Sequence, residues 1–343
     1  MHEPFDVITL GEAMVLLVAA EPGPLHAVRT FHKRTAGAET NVAIGLARLG
    51  LRVGWGSRLG DDSFGHYLLA SMRAEGVDCS HVQCVSGEKT GMMLKGRVLD
   101  GSDPPTEYYR AGSAASRMGH EHVDPAWLQG ARHMHATGVF AAISRNCLEA
   151  SRHAMQRMRA SGRTVSFDPN LRPALWPSIE AMRTTINALA AEAHWVFPGL
   201  AEGRLLTGED TPEAIARFYL DQGARIVAIK LGDRGAWFTD GTQSSQVAAW
   251  PVDRVVDTVG AGDGFAVGVI SGLLEGLPLE QAVTRGVWIG ARAVQVLGDT
   301  EGLPTRAQLQ KAGLQAGFST GGPACAGWRQ INGPGPAPRG PGG

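Results

Sequence analysis

Short, nearly continuous apolar runs alternate with helix-length amphipathic stretches along most of this chain. The strand candidates are 5–10 (FDVITL), 52–56 (RVGWG), 133–137 (HMHAT), 164–168 (TVSFD), 194–198 (HWVFP) and 225–231 (RIVAIKL). Strands covered on both faces read this way, because neither side of the pleat meets water. Helical spacing fills 40–49, 63–75, 146–161, 178–192, 211–222, 262–275 and 279–297. This β/α alternation predicts an α/β fold: a doubly wound, mostly parallel sheet with helices on both faces and right-handed crossovers.

Residues 12–36 and 91–110 break the alternation, reading as short strands and turns without helix period. They are expected to form a small β-sheet lid over the carboxyl ends of the main strands, where open α/β sheets bind ligands. From residue 318 the chain is rich in Gly and Pro and poor in apolar side chains. The expectation is one domain over 1–317 and a disordered tail over 318–343.

Composition excludes several classes. A formal net charge of −1 gives no basic field for nucleic acid or an anionic membrane. The four cysteines, Cys79, Cys84, Cys147 and Cys325, contain no C-x-x-C pair, which fits reduced thiols better than a disulfide frame or a zinc site. The N-terminal stretch lacks a basic n-region and its apolar run is broken by Glu12. The run 265–274 is far below the roughly 20 residues that span a bilayer. The expectation is a soluble, cytoplasmic protein with no nucleic-acid or membrane partner.

The chemistry concentrates at 257–265, DTVGAGDGF. The dinucleotide fingerprint fails because Phe265 stands at the third glycine position, and no Lys-Ser/Thr follows to make a Walker loop. What remains is a glycine turn entering a helix. It would aim the amides of Gly260, Ala261 and Gly262 at an anion. Asp263 then falls in the first helical turn, where two readings are open. It is either a carboxylate complementing the helix dipole or a base that takes a proton from a hydroxyl while the amides hold a phosphoryl group. Gly264, Gly268 and Gly272 form a smooth stripe, expected to lie close against the sheet.

DTVGAGDGFAVG resembles the C-terminal motif of the ribokinase-like (PfkB) sugar kinases. A second motif of that family, a glycine pair leading to asparagine at a helix start, is matched by AGAETNVA at 36–43, with Ala36 in place of the first glycine. The resemblance covers roughly 5–313. Within the family, YYRAGSAAS (108–116), DPNLRP (168–173), PGLAEG (198–203) and LGDTEGLP (297–304) are most similar to 2-keto-3-deoxygluconate kinases.

That resemblance implies a ribokinase-like fold and ATP-dependent phosphorylation of a sugar acid at its terminal hydroxyl, with Mg2+. It implies Asp263 as catalytic base and Gly260, Ala261 and Gly262 as the anion hole. It also implies Gly37, Ala38 and Asn41 on the sugar hydroxyls, and Tyr108, Arg110 and Arg172 on the acid and keto end. Lys230, Gly232 and Gly235 would line the ATP site with Gly260 and Gly262, and Glu202 would help organise the metal. Arginine suits a carboxylate because its planar fork binds both oxygens. Each residue has a plainer alternative: a strand-end cap or surface pair for Arg110 and Arg172, lid packing for Tyr108, and a backbone or stem contact for Lys230. Asp257 is either a strand-end acid or, like the matching position in some relatives, a ligand for a monovalent cation such as K+. A homo-oligomer paired through lids is expected.

Departures from the family pattern are Gly199, where an asparagine is usual, Met93, with Lys95 as a substitute polar contact, and Val287 near the adenine site. HMH at 133–135 places two histidines on one strand face, either a metal pair or buried strand histidines. RHAMQRMR at 152–159 reads as a solvated helix face. The alternatives to a sugar-acid kinase are a kinase of another sugar (fructose, ribose or 2-keto-3-deoxygalactonate) and a sugar- or nucleotide-binding regulator without turnover.

Overall fold

In the computed structural model, which describes residues 5–98 and 104–315, thirteen strands build two sheets. In chain order they are β1 (Phe5–Leu10), β2 (Met14–Ala19), β3 (Phe31–Ala36), β4 (Val53–Gly60), β5 (Val82–Val85), β6 (Met92–Lys95), β7 (Thr106–Tyr109), β8 (Ala131–Thr137), β9 (Thr164–Asp168), β10 (Trp195–Val196), β11 (Ile226–Lys230), β12 (Ala236–Thr239) and β13 (Ser244–Val247). The main sheet runs β13-β12-β11-β10-β9-β8-β1-β4-β5. It is parallel except at one edge, where β12 pairs antiparallel with both β11 and β13. Period-two burial on both faces is visible in neighbouring residues. Val7 enters one core and Ile8 the other, and Trp195 and Phe197 flank Val196 in the same way.

Helices Ala38–Arg48, Ser63–Ala74, Ala261–Leu274 and Leu279–Ala293 cover one face, and Arg145–Ala160, Ile179–Ala190 and Pro212–Asp221 the other. From β1 the sheet grows through β4 to β5 on one side and through β8 to β11 on the other. The order therefore reverses between β1 and β8, and a crevice opens there at the carboxyl ends, just beyond Leu10 and Thr137.

The lid is a separate sheet ordered β3-β2-β6-β7, drawn from the two segments without helix period. Met14, Leu16, Val18, Ala36 and Met93 form its own small core. The expected tail over 318–343 and Cys325 lie outside the described residues, as do 99–103 of the second lid segment.

Two expectations need correction, and one hairpin was not expected. The glycine stripe does not face the sheet. A Cβ on Gly268 would stand 2.4 Å from Gly286 Cα, and one on Gly272 2.7 Å from the Ala282 side chain, so the stripe lets two helices touch backbone to backbone. The expected helix 279–297 stops at Ala293. The hairpin β12–β13, absent from the strand candidates, turns at 240–243, where Gly241 sits at φ 87° and Asp240 Oδ1 accepts the Thr242 and Gln243 amides.

Candidate active site

Two cavities meet at the start of helix Ala261–Leu274. One, about 520 Å3, is polar and lies under the lid. The other, about 550 Å3, is lined largely by apolar side chains including Trp250, Val252, Val255, Phe265, Val287 and Val294. Lys230, Thr258 and Gly262 border both. The glycine turn is therefore the partition between a polar chamber and an apolar one.

The turn is built for that position. Gly260 caps the helix at φ 80°, and a Cβ there would lie 2.6 Å from the Asp299 backbone oxygen. A side chain is thus excluded twice, by conformation and by contact. Ala261 and Gly262 open the helix with Asp263 in its first turn, and the Gly262 face looks toward the Lys230 ammonium.

Asp263 is buried, and its Oδ2 accepts a 2.7 Å hydrogen bond from Asn41 Nδ2. Asn41 comes from helix Ala38–Arg48, whose N-cap Gly37 sits at φ 150° with no room for a Cβ beside the Glu12 carbonyl. The two motifs, 222 residues apart, thus converge on one carboxylate. Burial raises the Asp263 pKa to about 7, against the lowering effect of the Asn41 bond. Nearby Asp168 adds to the rise. A carboxylate with that affinity changes charge near neutral pH, where a general base works best.

The predicted cations divide. Lys230 does not contribute through its stem alone. Its ammonium reaches into the polar cavity, 2.7 Å from Asp168 Oδ2 and 4.0 Å from Glu202. Burial works to lower its pKa, but Asp168 and Glu202 prevail and the result is raised. Arg110 is paired with buried Glu12, which also accepts a 2.5 Å bond from Ser113 Oγ. Lys95 is paired with Asp257. Arg172 lines the same cavity, and its guanidinium donates to the Leu171 carbonyl at 2.8 Å. Among the described residues it is the one cavity cation without a carboxylate partner.

Gly37, Ala38 and Tyr108 line the polar cavity; Gly232 and Gly235 line the apolar one. Glu202 lies at the polar cavity's edge, but both its oxygens accept backbone amides, from Leu171 at 2.8 Å and Gly199 at 2.7 Å. Glu202 thus reaches back to the amide of the N-cap residue, the half of a capping box that a glycine at 199 still permits. Met93 is on the lid, and Val287 forms part of the apolar wall.

Glu12, Glu39, Asp168 and Asp299 also line the polar cavity, and sequence reading gave none of them a role. Glu39 and Asp299 lie inside quoted motifs, and Glu12 is the charge that interrupts the first apolar run. Burial raises the Glu39 pKa to about 8 and the Asp299 pKa to about 6. The paired histidines are a structural network: His133 and His135 both bond Ser166 Oγ, at 2.8 and 2.9 Å. Burial drives the His135 pKa down to about 3, so this pair stays neutral.

Residues 5–306 match the model of the pfkB family carbohydrate kinases, and the chain belongs to that family. It is 53% identical over 305 residues to 2-dehydro-3-deoxygluconokinase of Bacillus subtilis (strain 168), covering 89% of this chain and 94% of that one. A crystal structure of a PfkB protein from Polaromonas sp. JS666 shares 62% identity with a TM-score of 0.83, covering 89% and 99%. A fructokinase double mutant from Vibrio cholerae O395, solved with fructose, ADP and potassium ion, shares 25% identity with a TM-score of 0.79, covering 91% and 99%. No helix among the described residues is long and apolar enough to cross a membrane.

Proposed function

We propose that this chain transfers the γ-phosphoryl group of ATP to the terminal hydroxyl of 2-dehydro-3-deoxygluconate (2-keto-3-deoxygluconate), giving the 6-phospho sugar acid. The observation that carries the reading is the meeting of a polar and an apolar chamber at the Gly260–Asp263 turn. The named relative at 53% identity supplies the substrate class.

The sugar acid lies in the polar chamber with its carboxylate on Arg172 and its hydroxyls at Asn41 and the Gly37–Ala38 backbone. Tyr108 and Arg110 close over the keto end from the lid. ATP lies in the apolar chamber, between Gly232 and Gly235 on one side and the wall holding Val287 on the other. Asp263 accepts the hydroxyl proton as the oxygen attacks. The amides of Gly260, Ala261 and Gly262, with the Lys230 ammonium, stabilise the charge that spreads over the transferring group. The lid keeps water from competing for ATP.

Mg2+ brought with ATP would neutralise phosphate charge. Glu202 fits an indirect role, through metal-bound water, because both its oxygens already hold amides. The reading includes a cytoplasmic, lid-paired homo-oligomer. Arg110→Ala and Arg172→Ala should each abolish the preference for a sugar acid, whereas a neutral-sugar kinase would be unaffected. If the chain phosphorylates no sugar or sugar acid with Mg-ATP, a binding protein without turnover is the better reading.

A further inference from the structure

Asp257 begins the DTVGAGD segment, six residues before the proposed base, and is the residue read above as either a strand-end acid or a ligand for a monovalent cation. A potassium ion there would need the Asp257 carboxylate as its anionic ligand. Both oxygens are engaged, one of them by a fixed cation. Oδ2 lies 2.5 Å from Lys95 Nζ, and Oδ1 accepts the Val259 amide at 3.1 Å. Both side chains are only 2% exposed, so this is an ion pair closed to solvent. The residues present do not fit a metal ion at this carboxylate.

They do fit a fixed cation. Asp257 and Asp299 both lie next to the anion-hole turn. Asp257 shapes it through the Val259 amide, and Asp299 presents its backbone oxygen to Gly260. Asp299 Oδ1 is itself buried without a hydrogen-bond partner among the described residues. Two carboxylates this close to a site for transferring phosphate would oppose its charge unless a cation beside them offset theirs. Lys95 supplies one from β6 of the lid sheet, across 162 residues of sequence.

We infer that the Lys95 ammonium is a built-in replacement for a monovalent metal ion: it holds the Asp257 end of the anion-hole turn in place, so that turnover needs no K+. Lys95 is a positioning residue, acting on the reaction through Asp257 and the turn. Because it sits on a lid strand, it also ties the lid to the anion hole, and the order of one depends on the other. The inference rests on the kinase reading above for its activity arm only.

The test uses the full chain, freed of alkali metals and assayed with Mg-ATP and 2-dehydro-3-deoxygluconate. Parallel reactions contain tetramethylammonium chloride, NaCl or KCl at equal ionic strength. Product is measured by chromatography, because coupling enzymes can themselves respond to K+. The wild type should turn over equally in all three salts, and KCl should raise its denaturation midpoint no more than NaCl does. Lys95→Met should lose about 10- to 100-fold in kcat in tetramethylammonium chloride, the scale of losing one anion-hole donor, and regain part of it in KCl. Activation of the wild type by K+ of about tenfold or more, or a K+-specific rise in its denaturation midpoint, would overturn the inference. So would full turnover of Lys95→Met without K+. If Lys95→Met does not fold, the wild-type comparisons still decide. If no salt gives turnover, the sugar-acid reading fails, while the denaturation arm still judges the cation site.

Discussion

Replacing Asp263 by asparagine should slow the enzyme and stabilise the protein in the same experiment. The isosteric amide can still accept the Asn41 Nδ2 bond that Asp263 Oδ2 accepts at 2.7 Å. What it loses is the ability to take a proton, a contribution of about 100- to 10,000-fold to kcat for a positioned base. The stability sign follows from the pKa, which burial raises from 3.8 to about 7. A raised carboxylate contributes stability that is fully present below the unfolded value and is lost as pH rises through the folded one. At pH 8 the wild type has therefore given up as much as about 4 kcal/mol, reckoned from a shift of about three units. Asp263→Asn avoids ionisation, so it should gain at least about 1 kcal/mol at pH 8 and almost nothing at pH 4. Steady-state kinetics with Mg-ATP and thermal denaturation at the two pH values read both effects. A variant that keeps kcat within about tenfold of wild type would refute the base assignment. A variant less stable at pH 8 than at pH 4, relative to wild type, would refute the electrostatic account of the site.

Other expectations follow from the same geometry. The wild-type kcat/KM should rise with pH and level off above about 7, as Asp263 loses its proton; a flat profile between pH 5.5 and 7.5 would contradict it. Glu39, raised by burial to about 8, contributes stability that is present below its usual value and lost as pH climbs through 8. The denaturation midpoint should accordingly fall between pH 6 and 9, and less so in Glu39→Gln. Arg172→Ala should raise KM for the sugar acid by about 10- to 100-fold, the scale of a charge-assisted hydrogen bond, with little change in KM for ATP. Gly260→Ala should cost about 2 kcal/mol or more, since the residue sits at φ 80° with its Cβ direction 2.6 Å from Asp299 oxygen. Urea unfolding measures that loss directly.

The alternation of buried runs and amphipathic stretches was enough to give the parallel sheet, its helical layers and the separate lid. That signal is strong because each central strand has both faces covered, as Val7 and Ile8 show. The hairpin β12–β13 was not legible, because β13 reads SSQV, exposed and polar, and an edge strand needs no apolar alternation. At the site, the convergence of Asn41 and Asp263 was legible through two motifs, each with its own backbone constraint. The partners of the cations were not. Glu12 with Arg110, Asp257 with Lys95 and Asp168 with Lys230 are each set by tertiary contact between residues 62 to 162 apart in sequence, and no local pattern marks them. That is also why sequence treated Arg110 and Arg172 alike, whereas the structure leaves only Arg172 without a carboxylate among the cations of the polar cavity's described lining.

The most direct test is a substrate panel. Purified protein with Mg-ATP is offered 2-dehydro-3-deoxygluconate, its galactonate epimer, fructose and ribose, and ADP release and the phosphorylated product are quantified together. The account predicts phosphorylation of 2-dehydro-3-deoxygluconate at its terminal hydroxyl with a higher kcat/KM than either neutral sugar. Preferential phosphorylation of fructose or ribose, or no product from any of the four, would contradict it.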